Sequence, residues 1–357
     1  MEKINVLILF GGRSVEHGVS VNSARNIFQH INRERFHPVP VGITLQGEWF
    51  LKEGVDKDIT TGKPVQLGTN PSEPGLVFEG GSVRLDMAFP VLHGTDGEDG
   101  SIQGMLTALN IPFVGSGVLG SALSMNKIVA KEMLKAAGLP VVPFIHYRHD
   151  QRTAIDFDAM AAKFGIPFMV KSASLGSSVG VSKVNSRESF AKALDDSFAF
   201  DEEVILEQYI PGREIECAIL GNDPAQASLP GEIIISPKYE FYSFDAKYVD
   251  PDAVEIRVPA ALDPHEQDTI RELSVKAFQV LYCQDFARVD LFVSKAGIFI
   301  NEINTIPGFT NSSMYPMMWK ERGISFTELI SRLLDLAHER TLRQQRVKRN
   351  FDSSLRY

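Results

Sequence analysis

Residues Ala287–Ser313 read A-R-V-D-L-F-V-S-K-A-G-I-F-I-N-E-I-N-T-I-P-G-F-T-N-S-S and leave the backbone few choices. Two runs rich in β-branched and aromatic residues, Arg288–Val293 and Ile298–Ile303, flank the link Lys295-Ala296-Gly297. A three-residue hairpin loop puts Gly at its third, left-handed position, where Gly297 stands. Such a loop pairs Ser294 with Ile298, and counting outward sets Asp290 opposite Glu302 and Arg288 opposite Asn304. Side chains alternate along a strand, so these four share one face. Val289, Leu291, Val293, Phe299 and Ile303 take the other face as core. A two-residue turn would carry Asp290 off the face of Glu302, so the inference depends on register.

Two carboxylates directly opposite in a sheet repel. A bound cation turns that cost into a site, since Mg²⁺ takes one or two carboxylates together with substrate phosphates, and Asn304 adds a neutral oxygen. A solvated face with Arg288 neutralising Asp290 would also account for the charges. The convergence of Asp290, Glu302 and Asn304, with Pro307-Gly308 following at once, favours the metal.

The chain has 357 residues, 44% of them hydrophobic, enough for two or three domains with real cores. A net charge of −9 argues against a broad nucleic-acid or anionic-membrane surface. Cys217 and Cys283 are far apart and form no Cys-x-x-Cys, which argues against a disulfide scaffold or zinc. No cleavage site follows the first apolar run, and no run approaches the ~20 residues that span a bilayer. A soluble protein of a reducing compartment is expected.

Ile4–Phe10, apolar but for Asn5, predicts a strand buried on both faces of a parallel sheet. Strands near Val39–Thr44 and Leu85–Leu92 complete a βαβ-type first domain, with Ser20 capping a helix over Val21–His30. A ligand there would gather beyond the carboxyl ends of the strands, where Glu16 and the loop His93–Gly100 lie. These acidic residues could equally serve the helices that follow, with Ser101 capping Ile102–Leu109. Residues 52–82 read as an exposed, irregular insertion. Ser124–Ala137 predicts one helix ended by Gly138 and Pro140, and Lys127, Lys131 and Lys135 form an i, i+4 stripe typical of a solvated face. Composition places a boundary into a second domain around Pro140–Pro143.

Lys171 ends a strand and precedes the mobile-looking Ser172–Gly180, whose N–H and hydroxyl donors could wrap phosphate oxygens or simply close a hairpin. The Walker A and Gly-x-Gly-x-x-Gly patterns are absent. Glu207 and Glu214 bracket the turn Ile210-Pro211-Gly212, as acceptors for ribose and adenine or as solubilising charges on edge strands. Ser236–Ala253 is long enough to be a functional loop. Asp263-Pro264-His265-Glu266 is a capping box with Pro at N1, opening a helix with Ile270, Leu273, Ala277 and Leu281 on one face. Thr327–His338 is a closing helix, and the basic tail from Arg340 reads as a frayed end.

Taken together, the ordered stretches Phe10–His17, His93–Gly100, Gly176–Val181, Gly212-Arg213-Glu214, Arg288-Val289-Asp290 and Asn301–Thr305 resemble the D-alanine–D-alanine ligases of the ATP-grasp superfamily. The resemblance runs from about Lys3 to His338. It implies an α/β protein with α+β lobes and three domains: 1–122, an N-terminal parallel-sheet βαβ unit; 123–212, a central lid; and 213–357, carrying the metal site. It implies phosphorylation of one D-alanine carboxylate to an acylphosphate, which the amine of a second D-alanine attacks.

By matching motif positions, the resemblance has Asp290, Glu302 and Asn304 hold two Mg²⁺, for which Mn²⁺ could substitute. Lys127 and Lys171 would contact ATP phosphates, Glu207 the adenine amine, Glu214 the ribose and Lys247 the transferred phosphoryl group. Glu16, linked to Ser177 and Tyr248, would face the first ammonium. Arg288 and the Gly308 N–H would stabilise the oxyanion, with His93 and Ser313 at the substrates. Tyr248 favours an amine as second substrate. D-alanine and ATP are the implied partners, without nucleic acid or membrane, in a cytoplasmic enzyme whose relatives are commonly homodimers.

Overall fold

A strand apolar on both faces must be covered on both, and β1 (Ile4–Gly11) is fully buried from Val6 through Phe10. The computed structural model describes residues 2–239, 250 and 252–348. After β1, α1 (His17–His30) crosses to β2 (Phe36–Ile43), parallel to β1 along its whole length. β3 (Trp49–Leu51) and β4 (Lys63–Pro64) extend that sheet antiparallel. β5 (Gln66–Leu67), β6 (Gly75–Phe78) and β7 (Gly81–Arg84) form a separate small sheet before β8 (Met87–Pro90) returns parallel to the far side of β1. Residues 52–82 are therefore only partly irregular, since short strands punctuate the turns. Val55, Ile59, Val65 and Leu76 are buried there, because short strands let the segment anchor its few apolar residues.

Two helix starts differ from expectation. α1 begins at His17, and Ser20 lies inside it with its hydroxyl accepting from the Gly11 N–H and donating to the Val91 carbonyl. α2 (Ser101–Ala108) starts one residue early, with Gly100 at its N-cap and the Asp99 carboxylate accepting from the Ser101 N–H at 2.9 Å. The single helix expected over Ser124–Ala137 is two: α3 (Val118–Met125) and α4 (Lys127–Ala136). Asn126 breaks them, its side-chain oxygen accepting from the N–H groups of Ile128 and Val129 at 3.0 Å each. That is a strong N-cap, and it makes Lys127 the first residue of a new helix.

A second sheet is antiparallel throughout. β9 (Phe144–Arg148) is followed by α5 (Phe157–Phe164), then β10 (Phe168–Ser172), β11 (Val181–Val184), α6 (Arg187–Phe198) and β12 (Glu203–Gln208), in the order β11-β10-β12-β9. The third sheet follows at once with β13 (Arg213–Leu220), β14 (Gln226–Ala227), β15 (Gly231–Ile235) and β16 (Val254–Arg257). α7 (Pro264–Val280) opens on the expected capping box and buries Ile270, Ala277 and Leu281 at its end. β17 (Phe286–Ser294) and β18 (Gly297–Asn304) complete the order β16-β15-β13-β17-β18. α8 (Met314–Glu321) and α9 (Phe326–Gln344) close the chain, and α9 packs on α1 within a core that spans first and last segments. The basic end of α9 is not frayed at Arg340, which is buried and donates to the carbonyls of Phe113 and Gly115.

Candidate active site between two antiparallel sheets

The β17–β18 hairpin keeps the expected pairs Asp290–Glu302 and Arg288–Asn304, but by a different route. Its turn has two residues, Lys295-Ala296, with Ser294 opposite Gly297. Left alone, that turn would slip the register by one. A β-bulge on β18 at Asn301, between the pairs Leu291–Ile300 and Asp290–Glu302, restores it. Ile300 consequently fills the core opposite Leu291, in place of the expected Phe299, and is fully buried. The bulge also turns both Asn301 and Glu302 toward the cleft.

That cleft, of about 400 Å³, lies between the second and third sheets. Lys127, Lys171, Ser177, Glu207, Glu214, Asp290 and Glu302 all line it. Neither glutamate sits on an edge strand, since β12 runs between β10 and β9 and β13 between β15 and β17. Glu207 is 1% exposed and bridges two ammonium groups, Lys171 Nζ at 2.6 Å from Oε2 and Lys131 Nζ at 2.9 Å from Oε1. Lys131 is therefore not on a solvated face. Burial pushes Glu207 up, and Lys131 and Lys171 outweigh it and hold the carboxyl below the usual range. Lys171 also donates to Asn301 Oδ1 at 3.2 Å. Lys127 donates to the Leu175 carbonyl and sits 3.6 Å from Glu302.

At the floor, Arg288 grips Asp290 with two hydrogen bonds of 2.7 Å and lies 3.0 Å from Glu216. Asn304 donates to Asp290 at 3.0 Å. Among the described residues no three His, Cys, Asp or Glu side chains are grouped to hold a metal. The donor set here is two carboxylates and one amide. An all-oxygen set of that kind fits Mg²⁺ completed by phosphate oxygens, and not zinc.

On the side of the first sheet, Glu16 is 6% exposed and accepts a hydrogen bond from the Ser177 hydroxyl. Its Oε2 is buried without a hydrogen-bond partner among the described residues. Gly94 and Gly176 crowd that oxygen so closely that a Cβ on either would come within 2.8 or 2.7 Å. Ser177 and Ser178 both adopt positive φ, 53° and 59°, a strained conformation for non-glycine residues that brings the loop over the site.

His93 is buried with Nδ1 2.9 Å from the Ile306 carbonyl and Nε2 2.9 Å from Ser23 Oγ. A carbonyl only accepts, so Nδ1 carries the proton and Nε2 accepts from the serine, whose oxygen in turn accepts from the Phe309 N–H at 3.2 Å. Burial pushes the imidazole below its ordinary value. Glu98 accepts from Gly94 and Ile306 N–H groups, and its carboxyl is pushed up to about 8, chiefly by burial and next by Glu16. The segment around Gly308 is thus fixed from both sides. Ser313 Oγ accepts from the Thr310 N–H at 3.0 Å and lies where a Cβ on Gly308 would meet it at 3.1 Å.

Lys247 and Tyr248 lie outside the described residues. The ends of their loop are joined, with Ser236 N–H donating to the Ala253 carbonyl at 2.8 Å, and Tyr239 lines the cleft. Sequence reasoning missed Glu216, Asn301 and Lys131 as members of this site. Glu216 was within reach of it, standing two residues from Glu214 on the same strand face and opposite Asp290.

Comparisons with known proteins agree with this geometry. The D-ala D-ala ligase N-terminus model matches residues 5–116 and the D-ala D-ala ligase C-terminus model residues 133–335. The chain is 47% identical over 355 residues to D-alanine–D-alanine ligase A of Escherichia coli K12, covering 95% of this chain and 97% of that one. The D-alanine–D-alanine ligase structure from Coxiella burnetii superposes with a TM-score of 0.86 at 34% identity, covering 97% of both chains. The VanG D-Ala:D-Ser ligase from Enterococcus faecalis superposes with a TM-score of 0.85 at 35% identity, covering 94% of this chain and all of the other.

Proposed function

The chain belongs to the D-alanine–D-alanine ligase family, and from that premise we propose how its cleft works. It is an ATP-dependent ligase that joins two D-alanines through a D-alanyl phosphate, supplying a peptidoglycan precursor. The observation that carries the reading is the buried Oε2 of Glu16, which has no hydrogen-bond partner among the described residues, beside the strained serine loop. A buried carboxylate oxygen without a donor is costly, and the ammonium of the first D-alanine supplies both donor and charge.

Lys127 and Lys171 take the ATP phosphates, Glu214 the ribose and Lys247 the transferred phosphoryl group. Glu207 keeps lone pairs for the adenine amine beyond those its lysines use. Asp290, Glu302 and Asn304 would hold two Mg²⁺, or Mn²⁺ in their place, which bound there supply positive charge against phosphate oxygens. Arg288 and the Gly308 N–H stabilise the oxyanion formed as the second amine attacks. His93 positions the segment that carries Gly308, and Ser313 meets the second carboxylate. Ser177 and Tyr248 tie Glu16 to loop and lid, and their closure excludes the water that would hydrolyse the acylphosphate.

Division into units 1–122, 123–212 and 213–357 belongs to the same reading. So does a cytoplasmic homodimer, with size in solution as its measurement. Among the described residues no helix is long and apolar enough to cross a membrane. The decisive assay is phosphate release from MgATP with D-alanine, with L-alanine, and with D-alanine plus D-lactate or D-serine, products being identified by mass. D-alanyl-D-alanine from D-alanine alone is expected, and no turnover on any of these would sink the reading.

A further inference from the structure

Lys131 makes no contact that ligand chemistry requires of it, yet it is 1% exposed. A lysine at that depth needs a reason. It stands one turn after Lys127 on α4 and is in ion-pair contact with Glu207 Oε1, while Lys171 holds Oε2 from β10. One carboxylate therefore faces two ammonium groups, and Lys131 does not line the cleft whereas Lys171 does. Of the two ammonium groups on this carboxylate, it is that of Lys171 that reaches the cleft.

Resting on the ligase reading, we propose that Lys131 is a positioning residue for the nucleotide phosphates. It serves as the second counter-ion of Glu207 and so frees Lys171 to turn from the carboxylate onto phosphate oxygens. Removing Lys171 from a Glu207 that had no other partner would strand a buried carboxylate. With Lys131 in place, Glu207 stays paired throughout. The environments of the two lysines differ accordingly. Burial pushes Lys131 below the ordinary lysine value, whereas for Lys171 the carboxylates of Glu207, Glu302 and Glu214 outweigh burial and raise it. The cation that meets the ligand is the one whose charge is held most firmly.

Lys131→Met keeps an unbranched side chain one heavy atom shorter and removes its charge, leaving Lys171 as the counter-ion of Glu207. The full-length variant should bind ATP at least tenfold more weakly by calorimetry, while adenosine, which has no phosphates, binds within twofold of wild type. In a Glu207→Gln background the carboxylate no longer needs a second partner, so Lys131→Met/Glu207→Gln should bind ATP within threefold of Glu207→Gln. This pair also decides the matter if Lys131→Met alone does not fold. Equal loss of ATP and adenosine binding, unchanged ATP binding with only a lower melting temperature, or a tenfold effect persisting in the Glu207→Gln background would each overturn the role. A wild-type protein that binds no nucleotide would overturn the ligase reading and this one with it, a pattern separate from the other three.

Discussion

Two buried ion clusters of this molecule contrast in how their charge closes. At the start of β17, Asp285 is fully buried, accepts from the Gly115 N–H and Asn222 Nδ2 at 2.9 Å each, and pairs with Arg340 at 3.3 Å. Arg340 spends its remaining donors on the Phe113 and Gly115 carbonyls and on Gln284. One anion meets one cation, and backbone groups use what is left. In the cleft, Glu207 meets two cations, and Arg288 faces both Glu216 and Asp290. There each charged group is shared among several neighbours instead of closing in a single pair. A balanced cluster holds a fold together, whereas a shared one at a cleft awaits a charged ligand. Phosphate, ammonium and metal ions are charged ligands onto which such shared charges can turn.

The sharpest way to break the contrast is to unbalance the balanced cluster. Arg340→Met leaves Asp285 buried without its cation, and removing one partner of a buried pair costs about 3–5 kcal/mol. Chemical denaturation should show that loss, with the affinity of the remaining folded protein for ATP unchanged. Arg288→Ala should do the reverse. Loss of an oxyanion donor in a dry site costs about 2.7–4 kcal/mol of transition-state stabilisation, so kcat with D-alanine should fall on the order of 10²–10³-fold. A kcat near wild type would remove Arg288 from the reacting centre.

How far these clusters could be read in the sequence follows from the range of the interactions. The buried strand β1 and the capping box of α7 depend on neighbours in sequence and were legible. The Asp290–Glu302 pair was legible too, but through two errors that cancel, since a shorter turn and a bulge each move the register by one. Nothing local announces the bulge at Asn301. Lys131 and Arg340 were unreadable for a different reason. Their sequence surroundings are those of solvated lysine and arginine, and only Glu207, 76 positions on, or Asp285, 55 positions back, shows otherwise. Asn126 stood in plain view as a capping residue, masked by helix-forming residues on both sides.

A further test concerns the neutral partner among these charges. His93 is held neutral by burial, with Nδ1 donating to Ile306 and Nε2 accepting from Ser23. Its folded pKa lies below its unfolded one, so below about 6.5 the unfolded chain binds the extra proton and the folded chain does not. The stability this group contributes is complete above that pH and declines as pH falls toward the folded value. Between pH 7 and 5 the wild type should therefore lose stability more steeply than His93→Gln. Parallel profiles would mean that the imidazole charges in place.

The smallest effect is expected where a charge pair is neither buried nor near the cleft. Arg35 and Asp335 join the loop before β2 to α9, nearly half-exposed at 44% and 46%, with Arg35 Nη1 3.1 Å from the carboxylate. Water screens such a pair and both side chains lose freedom in forming it, so exposed pairs contribute about 0.2–1 kcal/mol. Asp335→Asn should shift the denaturation midpoint by no more than that, and less in high salt. Its geometry is as good as that of the Asp285–Arg340 pair. If Asp335→Asn cost as much as Arg340→Met, hydrogen-bond geometry rather than desolvation would govern both, and the contrast between balanced and shared burial would lose its physical basis.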